Sequence, residues 1–438
     1  MTHAWRRRLF YSLCALFLLA GSIAVGYALG WRLDIRHFSI TKVGAIYIRS
    51  FPYDADLALD GQPVKKNPGF FDRGTFISNL LPQNYQLAVT REHYEPWQRT
   101  ITVRPAEVSE IKYAVLVPNE ATSSVKEPVR DFWAVGDEII WKNQKGGLVW
   151  REAKLSGTRV TDFVEGPLRA LTLDERTGAY FLNDLEASTS QNLSAAARTA
   201  GLTLSSPGTA AMLDPLSRSR VIAATPRAIT LFDMETGVAL PLSSSTSSVF
   251  GKVAVSTDWI AWTMAEKAGG IRLVLYDRSA ETMRDIPPTL PGKTMKIAWG
   301  GRGLLGILQD NGEFFIATPQ AQTISHIASD VKDFSISGDG QMAAALERRA
   351  IEVFSLAGKD YWRFNLGERS SAQRITWYRD ARHLFIEGTD GVDFLDIEDD
   401  LQENTKRIAD AHRSWYNAKE NHLYFIRGDL LKKLDFPL

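Results

Sequence analysis

The side chains with the most chemical potential are seven histidines, one cysteine and a run of carboxylates near the C-terminus. The histidines are His3, His37, His93, His326, His383, His412 and His422. None is paired at the His-x-x-x-His or His-Glu-x-x-His spacing that puts two imidazoles on one helix face around zinc. Asp390, Asp393, Asp396, Glu398, Asp399 and Asp400 form the densest acidic cluster. Its spacing fails the ligand positions of an EF-hand calcium loop, so a solvated acidic turn is expected. Hydrolysis lacks a nucleophile: there is no Gly-x-Ser-x-Gly elbow, and Cys14 lies inside an apolar run. No P-loop or Gly-x-Gly-x-x-Gly follows a strand, so no cofactor is implied. Gly338-Asp339-Gly340 reads as a hairpin turn, and Asn192-Leu193-Ser194 is a formal glycosylation sequon. Trp141, Trp150, Trp259, Trp262, Trp299, Trp362, Trp377 and Trp415 read as core packing rather than sugar platforms. No catalytic, cofactor-binding or metal-ligating residue is assigned.

The elements that would position any site repeat along the last 310 or so residues, at steps of about 40. An apolar strand runs into a turn, a second apolar strand follows, and then a third. The turns fall at Asp137, Asp174, Asp214, Asp258, Gly301, Asp339, Asp380 and Asn421. This period with all-β content predicts a β-propeller. First strands are expected near 131–135, 168–173, 209–213, 252–256, 295–299, 331–336, 374–378 and 413–416. The third strands share a looser phrase, as in Leu273-Val274-Leu275-Tyr276-Asp277 and Val392-Asp393-Phe394-Leu395-Asp396. Seven or eight blades fit, and eight is favoured because eight turns are visible. Residues 184–201 are rich in Ser, Ala and Thr and read as a long loop; without that blade seven remain. The last repeat stops near Asp435, and residues 122–128 are a candidate for its missing fourth strand. The repeat resembles WD-repeat and TolB-like blades as a class, without the regular Trp-Asp and Gly-His marks of the former.

Arg6, Arg7 and Arg8 precede an uncharged run from residue 9 to 31. As a helix, about 23 residues span ~35 Å, enough for a hydrocarbon core of about 30 Å. An uncleaved transmembrane anchor is expected, with Tyr11, Tyr27 and Trp31 as interface anchors. A cleaved signal peptide would have a shorter apolar region and a small-residue cleavage site; Ala24-Val25-Gly26 is the nearest match. The positive-inside rule places residues 1–8 in the cytoplasm and the rest outside.

Charge and cysteine usage agree with such a location. Lys and Arg total 51 and so do Asp and Glu, so the cationic excess that phosphate binding needs is missing and nucleic acid is excluded as the main partner. With a single cysteine no intrachain disulfide is possible, which suits a bacterial surface protein better than a eukaryotic secreted one.

Residues 32–42 read as a juxtamembrane linker and 119–128 as an interdomain linker. Between them, 43–118 alternate apolar and polar residues in six short segments bounded by turn chemistry. Ser50-Phe51-Pro52-Tyr53-Asp54-Ala55 leads through an alternating strand to Asp60-Gly61. Leu80-Leu81-Pro82 precedes Tyr85-Gln86-Leu87-Ala88-Val89, and His93-Tyr94-Glu95-Pro96 follows. Together these resemble the signature of a PEGA domain over about 75 residues. Asp54, Asn84 and His93 stand where that family places Gly. The resemblance implies a small β-sandwich of the cell envelope without enzymatic activity.

The expected chain is thus mainly β: tail 1–8, transmembrane helix 9–31, linker 32–42, PEGA-like domain 43–118, linker 119–128 and propeller 129–438. The expected role is non-enzymatic binding at the bacterial envelope, with an envelope protein or cell-wall polymer as partner. The alternative is a propeller hydrolase or lyase whose site is dispersed over several blades at the channel mouth.

Overall fold

The computed structural model describes residues 3–34, 39–66, 73–204, 208–267, 269–358, 360–367, 371–398 and 405–437. His37, Asp399 and Asp400 lie outside these, as does the side chain of His3. The chain divides into two compact units, Met1–Glu120 and Ala121–Phe436.

The first unit opens with helix α1 (His3–Ala28). Its stretch Arg7–Ala28 is long and apolar enough to cross a membrane, and none of it is buried by the rest of the chain. The linker expected over 32–42 instead contains two strands. Strands β1 (Trp31–Asp34) and β2 (Ser39–Lys42) pair as an antiparallel hairpin, with Trp31 opposite Lys42 and Leu33 opposite Ile40. Its exposed apolar side chains gave no in-and-out pattern to read.

Two sheets then share one core. Strands β3 (Gly44–Phe51), β4 (Asp56–Leu59), β5 (Gln62–Pro63), β6 (Thr75–Leu80), β7 (Asn84–Thr90), β8 (Trp97–Thr102) and β9 (Val108–Val115) follow in order. One sheet runs β6-β3-β9, with β3 and β9 parallel; the other runs β5-β4-β7-β8. Strand β7 shows the half-buried alternation that makes this arrangement: Tyr85, Leu87 and Val89 point inward, Gln86 and Thr90 outward. They meet Ile46, Ile48, Leu57, Trp97 and Ile111.

Asp60 and Gly61 both lie at positive φ, 48° and 76°, and connect β4 to β5 as a two-residue hairpin turn. Asp60 Oδ1 accepts the Gln86 amide at 2.8 Å, which ties the turn to β7. Open space surrounds Gly61, so any cost of a side chain there is backbone strain. Gly61→Val is expected to destabilise this unit by about 1–2 kcal/mol, the left-handed cost for an L-residue. A two-transition thermal scan of the full chain checks it, since the propeller transition should not move. His93 also lies at positive φ, 66°, where the PEGA pattern has Gly.

Among the described residues the second unit contains eight four-stranded antiparallel sheets. Seven are contiguous in sequence, over residues 129–155, 159–192, 210–244, 249–290, 294–328, 333–365 and 372–409. The eighth takes three strands from residues 414–435 and its fourth from the other end of the unit. Strand β10 (Thr122–Ser123) pairs with Leu430–Asp435, and Ser124 and Val129 add backbone bonds to Leu431 and Asp429. Sheets one to seven pack side by side mainly through their first strands or a first strand against a second, with fourth strands also meeting between sheets four and five. Ser414 N of sheet eight bonds Glu387 of sheet seven, and Val129–Val135 of sheet one adjoins Ser414–Asn417 of sheet eight. This is a β-propeller. Closure removes the open edge that eight stacked sheets would otherwise expose.

Burial follows position within each sheet. Second strands such as Leu305–Gln309 and Met342–Leu346 are buried on both faces and read as continuous apolar runs. Fourth strands such as Thr189–Asn192 are exposed throughout. The recurrent Asp or Asn turns are side-chain caps: Asp174, Asp233, Asp277 and Asp380 each accept two following amides on Oδ1, as does Asn417.

That shared chemistry misplaces one repeat. The turn at Asp174 joins the second strand of sheet two (Arg169–Asp174) to the third (Ala179–Asp184), and the first strand is Arg159–Val164. The cap closes first-to-second hairpins at Asp380 and Asn417, a second-to-third hairpin at Asp174 and third-to-fourth hairpins at Asp233 and Asp277, so the phrase alone does not say which hairpin it closes. Nor are residues 184–201 a long loop. They hold the strand Thr189–Asn192 and a short helix, Leu193–Thr199. The Asn192 carboxamide caps that helix through Ala195 N, and Leu193 and Ser194 are buried, so the sequon reads as a capping site.

Removing the segment before Arg130 is expected to open the ring. A chain beginning at Arg130 loses β10, its backbone bonds and the buried Val129 side chain. Relative to a chain beginning at Ala121, it should be less stable by about 3 kcal/mol, the burial of one aliphatic side chain plus lost pairing. Equal urea midpoints would refute closure by this segment.

Candidate functional site

The inner strands place charged residues in the propeller's centre by a repeated local device. In four of them a register irregularity immediately precedes the charge: Val129/Asp131, Val160/Asp162, Thr294/Lys296 and Ala372/Arg374. A bulge turns one side chain out of the regular alternation. Asp131, Asp162 and Lys296 then reach the neighbouring sheet, while Arg374 faces Glu387 across its own.

Carboxylates act as struts between sheets. Asp162 of sheet two accepts its neighbour Phe163 N at 2.9 Å on Oδ1 and Leu213 N of sheet three at 2.7 Å on Oδ2. Asp333 of sheet six accepts Lys296 Nζ of sheet five at 2.6 Å and Ile375 N of sheet seven at 3.0 Å. Glu387 of sheet seven accepts both the amide and the hydroxyl of Ser414 in sheet eight at 2.6 Å. Arg413 of sheet eight reaches sheet one, with Nε 3.0 Å from Asp131 Oδ1 and Nη2 donating to Phe132 O. Burial pushes the Asp162 carboxyl above its usual range, against the opposing pull of the two amides and of Arg169.

Sheets one, two, seven and eight enclose a cavity of about 260 Å³ beside these struts. Trp133, Phe163 and Trp415 supply ring surface, and Arg374, Arg413 and Asp162 supply charge. The Arg413 guanidinium lies 5.8 Å from the centre of the Trp133 ring. Arg374 is half exposed and stands 3.5 Å from Glu387. Indole faces and guanidinium groups suit a planar or acidic group: Arg offers a forked set of donors and Trp an apolar face with one polar edge.

The residues singled out in the sequence do not converge here, apart from Trp415. His383 is buried in sheet seven, its Nδ1 2.7 Å from Asp380 and its Nε2 3.8 Å from Asp396, with its ring stacked on Phe394. His93 pairs with Glu120, His326 with Glu313 and His422 with Asp435. His412 is exposed. The acidic cluster is divided among cations: Asp390 and Asp393 face Arg407, Glu398 faces Arg382, and Asp396 lies behind His383. Among the described residues no three of His, Cys, Asp and Glu gather as metal ligands. Trp141, Trp150, Trp262 and Trp377 are buried, and Trp259, Trp299, Trp362 and Trp415 are half-buried. Sequence reasoning missed Asp162, Arg374 and Arg413. The available signal was a charge inside an otherwise apolar inner strand, as in Val160-Thr161-Asp162-Phe163-Val164.

No family model matches the chain, and no curated protein matches it. Among solved structures it is similar to the β-propeller domain of Cps50 (Swd1) from Myceliophteria thermophila, with 13% identity and a TM-score of 0.42 over 61% of this chain and 96% of that one. It is also similar to an oligogalacturonate lyase in complex with manganese, with 10% identity and a TM-score of 0.43 over 73% of this chain and 99% of that one.

Proposed function

We propose that the chain is a single-pass envelope protein whose PEGA-like domain and eight-bladed propeller form a non-enzymatic binding platform outside the membrane. The apolar part of α1 after Arg8 is the span, with Arg6, Arg7 and Arg8 on the cytoplasmic side. The Trp133, Trp415 and Arg374 surface at the axial cavity is the recognition patch, suited to an acidic segment of an envelope protein or wall polymer.

One observation carries the non-enzymatic reading. The carboxylates Asp162, Asp333 and Glu387 each accept a backbone amide of the next sheet. A general acid or base must exchange its proton with substrate, and these groups are held by the fold instead.

Arg374→Ala separates binding from stability. Its partner contact is long and half exposed, so the substitution should cost less than about 1 kcal/mol. Capture of the partner from envelope extracts by the full-length protein should fall at least about tenfold, the equivalent of one lost charge-assisted contact. Chelator should leave capture unchanged. Turnover of a wall glycan or peptide, abolished by a single substitution at this cavity, would establish an enzyme instead.

A further inference from the structure

The β1–β2 hairpin has its polarity reversed. Cross-strand partners share a face, so Trp31, Leu33, Ile40 and Lys42 lie on one side and Arg32 and Thr41 on the other. The apolar side is the exposed one: Leu33 is 62% and Ile40 69% accessible, while Arg32 and Thr41 are half-buried. A hairpin facing water on its outer side would show the opposite pattern.

The hairpin is also fixed to the end of α1. Arg32 Nη1 donates to the Tyr27 carbonyl at 2.7 Å, satisfying an acceptor of the last helical turn. Its guanidinium lies 3.4 Å from the centre of the Tyr27 ring, and Nη2 donates to Asn79. Val43 N donates to Gly30 O at 2.9 Å, and Val43 O accepts from Ala106 N. The exposed apolar side is therefore held within a few residues of the point where α1 ends. On the same side, Lys42 Nζ stands 5.4 Å from the centre of the Trp31 ring.

We propose that the β1–β2 hairpin lies in the headgroup layer of the bilayer that α1 crosses, with Trp31, Leu33 and Ile40 toward the acyl boundary and Lys42 at the lipid phosphates. Indole rings favour that depth, and a lysine carries its charge outward along an apolar stem. The hairpin thereby sets the first domain against the membrane surface instead of letting it hang on a tether. This rests on the reading of α1 as a membrane span.

The test uses the full-length protein in a Cys14→Ser background, reconstituted in vesicles of zwitterionic and anionic phospholipid. A polarity-sensitive dye is attached at one of four substitutions: Leu18→Cys in α1, Leu33→Cys, Ile40→Cys, or Leu216→Cys in the propeller. Each is read with shallow spin-labelled lipid, deep spin-labelled lipid and aqueous iodide as quenchers. Dyes at 33 and 40 should be quenched by the shallow label and be several-fold less sensitive to iodide than the dye at 216. Iodide sensitivity equal to that at 216, with position 18 quenched by the deep label, overturns the hairpin proposal and leaves the anchor standing. Shielding from both iodide and lipid labels would mean that protein covers this face, and also overturns it. If position 18 is not quenched by lipid, the span itself fails and the proposal falls with it.

Discussion

Replacing Asp214 with Ala is expected to lower the stability of the propeller by about 3–5 kcal/mol, the usual cost of removing one partner from a buried ion pair. Asp214 is fully buried at the turn between the first and second strands of sheet three. Its Oδ1 accepts Leu216 N at 3.0 Å and Arg278 Nη2 of sheet four at 2.5 Å, and Oδ2 lies 3.4 Å from Arg220 Nε. Its backbone carbonyl accepts Arg169 Nη2 of sheet two at 2.6 Å. Arg169 is itself fully buried, and burial pulls its pKa down while Asp214 opposes that pull. One carboxylate thus balances cations from three consecutive sheets. Without it Arg278 and Arg169 keep their carbonyl contacts but lose the countercharge, in surroundings that water does not reach. Urea unfolding of Asp214→Ala and Asp214→Asn measures this. Asn retains the Leu216 contact and should recover part of the loss. A change under 1 kcal/mol for Ala would mean that water reaches the arginines and that the pairing contributes little.

The sequence showed architecture better than it showed the site, and the reason is physical. Period and burial are linked in a strand, so the apolar runs at 305–309, 342–346 and 383–388 announced the buried second strands. Turns such as Asp174 and Asp380 were visible because the Asp caps following amides, a local interaction written within three residues. Sheet two was misaligned because that cap closes hairpins at different positions in different sheets. The axial cavity was not visible at all. Arg413 and Asp131 are 282 positions apart and meet only when the ring closes. Their types, a lone Arg and a lone Asp, are ordinary surface residues by composition. The exposed hairpin beside α1 was read as a linker for the converse reason: its apolar residues have no inward partner, so they carry no alternation that marks a strand packed on a core.

His383 tests how far the same logic runs through one sheet. Burial disfavours charge on its imidazole, but Asp380 at 2.7 Å, with Asp396 and Glu398 behind it, outweighs that penalty and raises the pKa above its ordinary 6.5. When protonated the ring holds two carboxylates that are themselves almost buried, and its face stacks on Phe394 at 4.8 Å. Removing it in His383→Ala leaves Asp380 and Asp396 facing each other and opens a cavity, at a cost of about 3–5 kcal/mol. The pH dependence has a defined sign. A group whose pKa rises on folding contributes its full stabilisation below its unfolded value of about 6.5. That contribution fades as pH climbs through the folded value. His383→Gln, which keeps bulk but does not titrate, should be less stable than the parent in acid, and the gap between them should narrow as pH rises. Urea midpoints of both proteins from about pH 5 to 9 span the ordinary histidine range and its raised side. A gap that stays constant across that range would show that the ring is neutral in the fold, and the two carboxylates would then need another source of compensation.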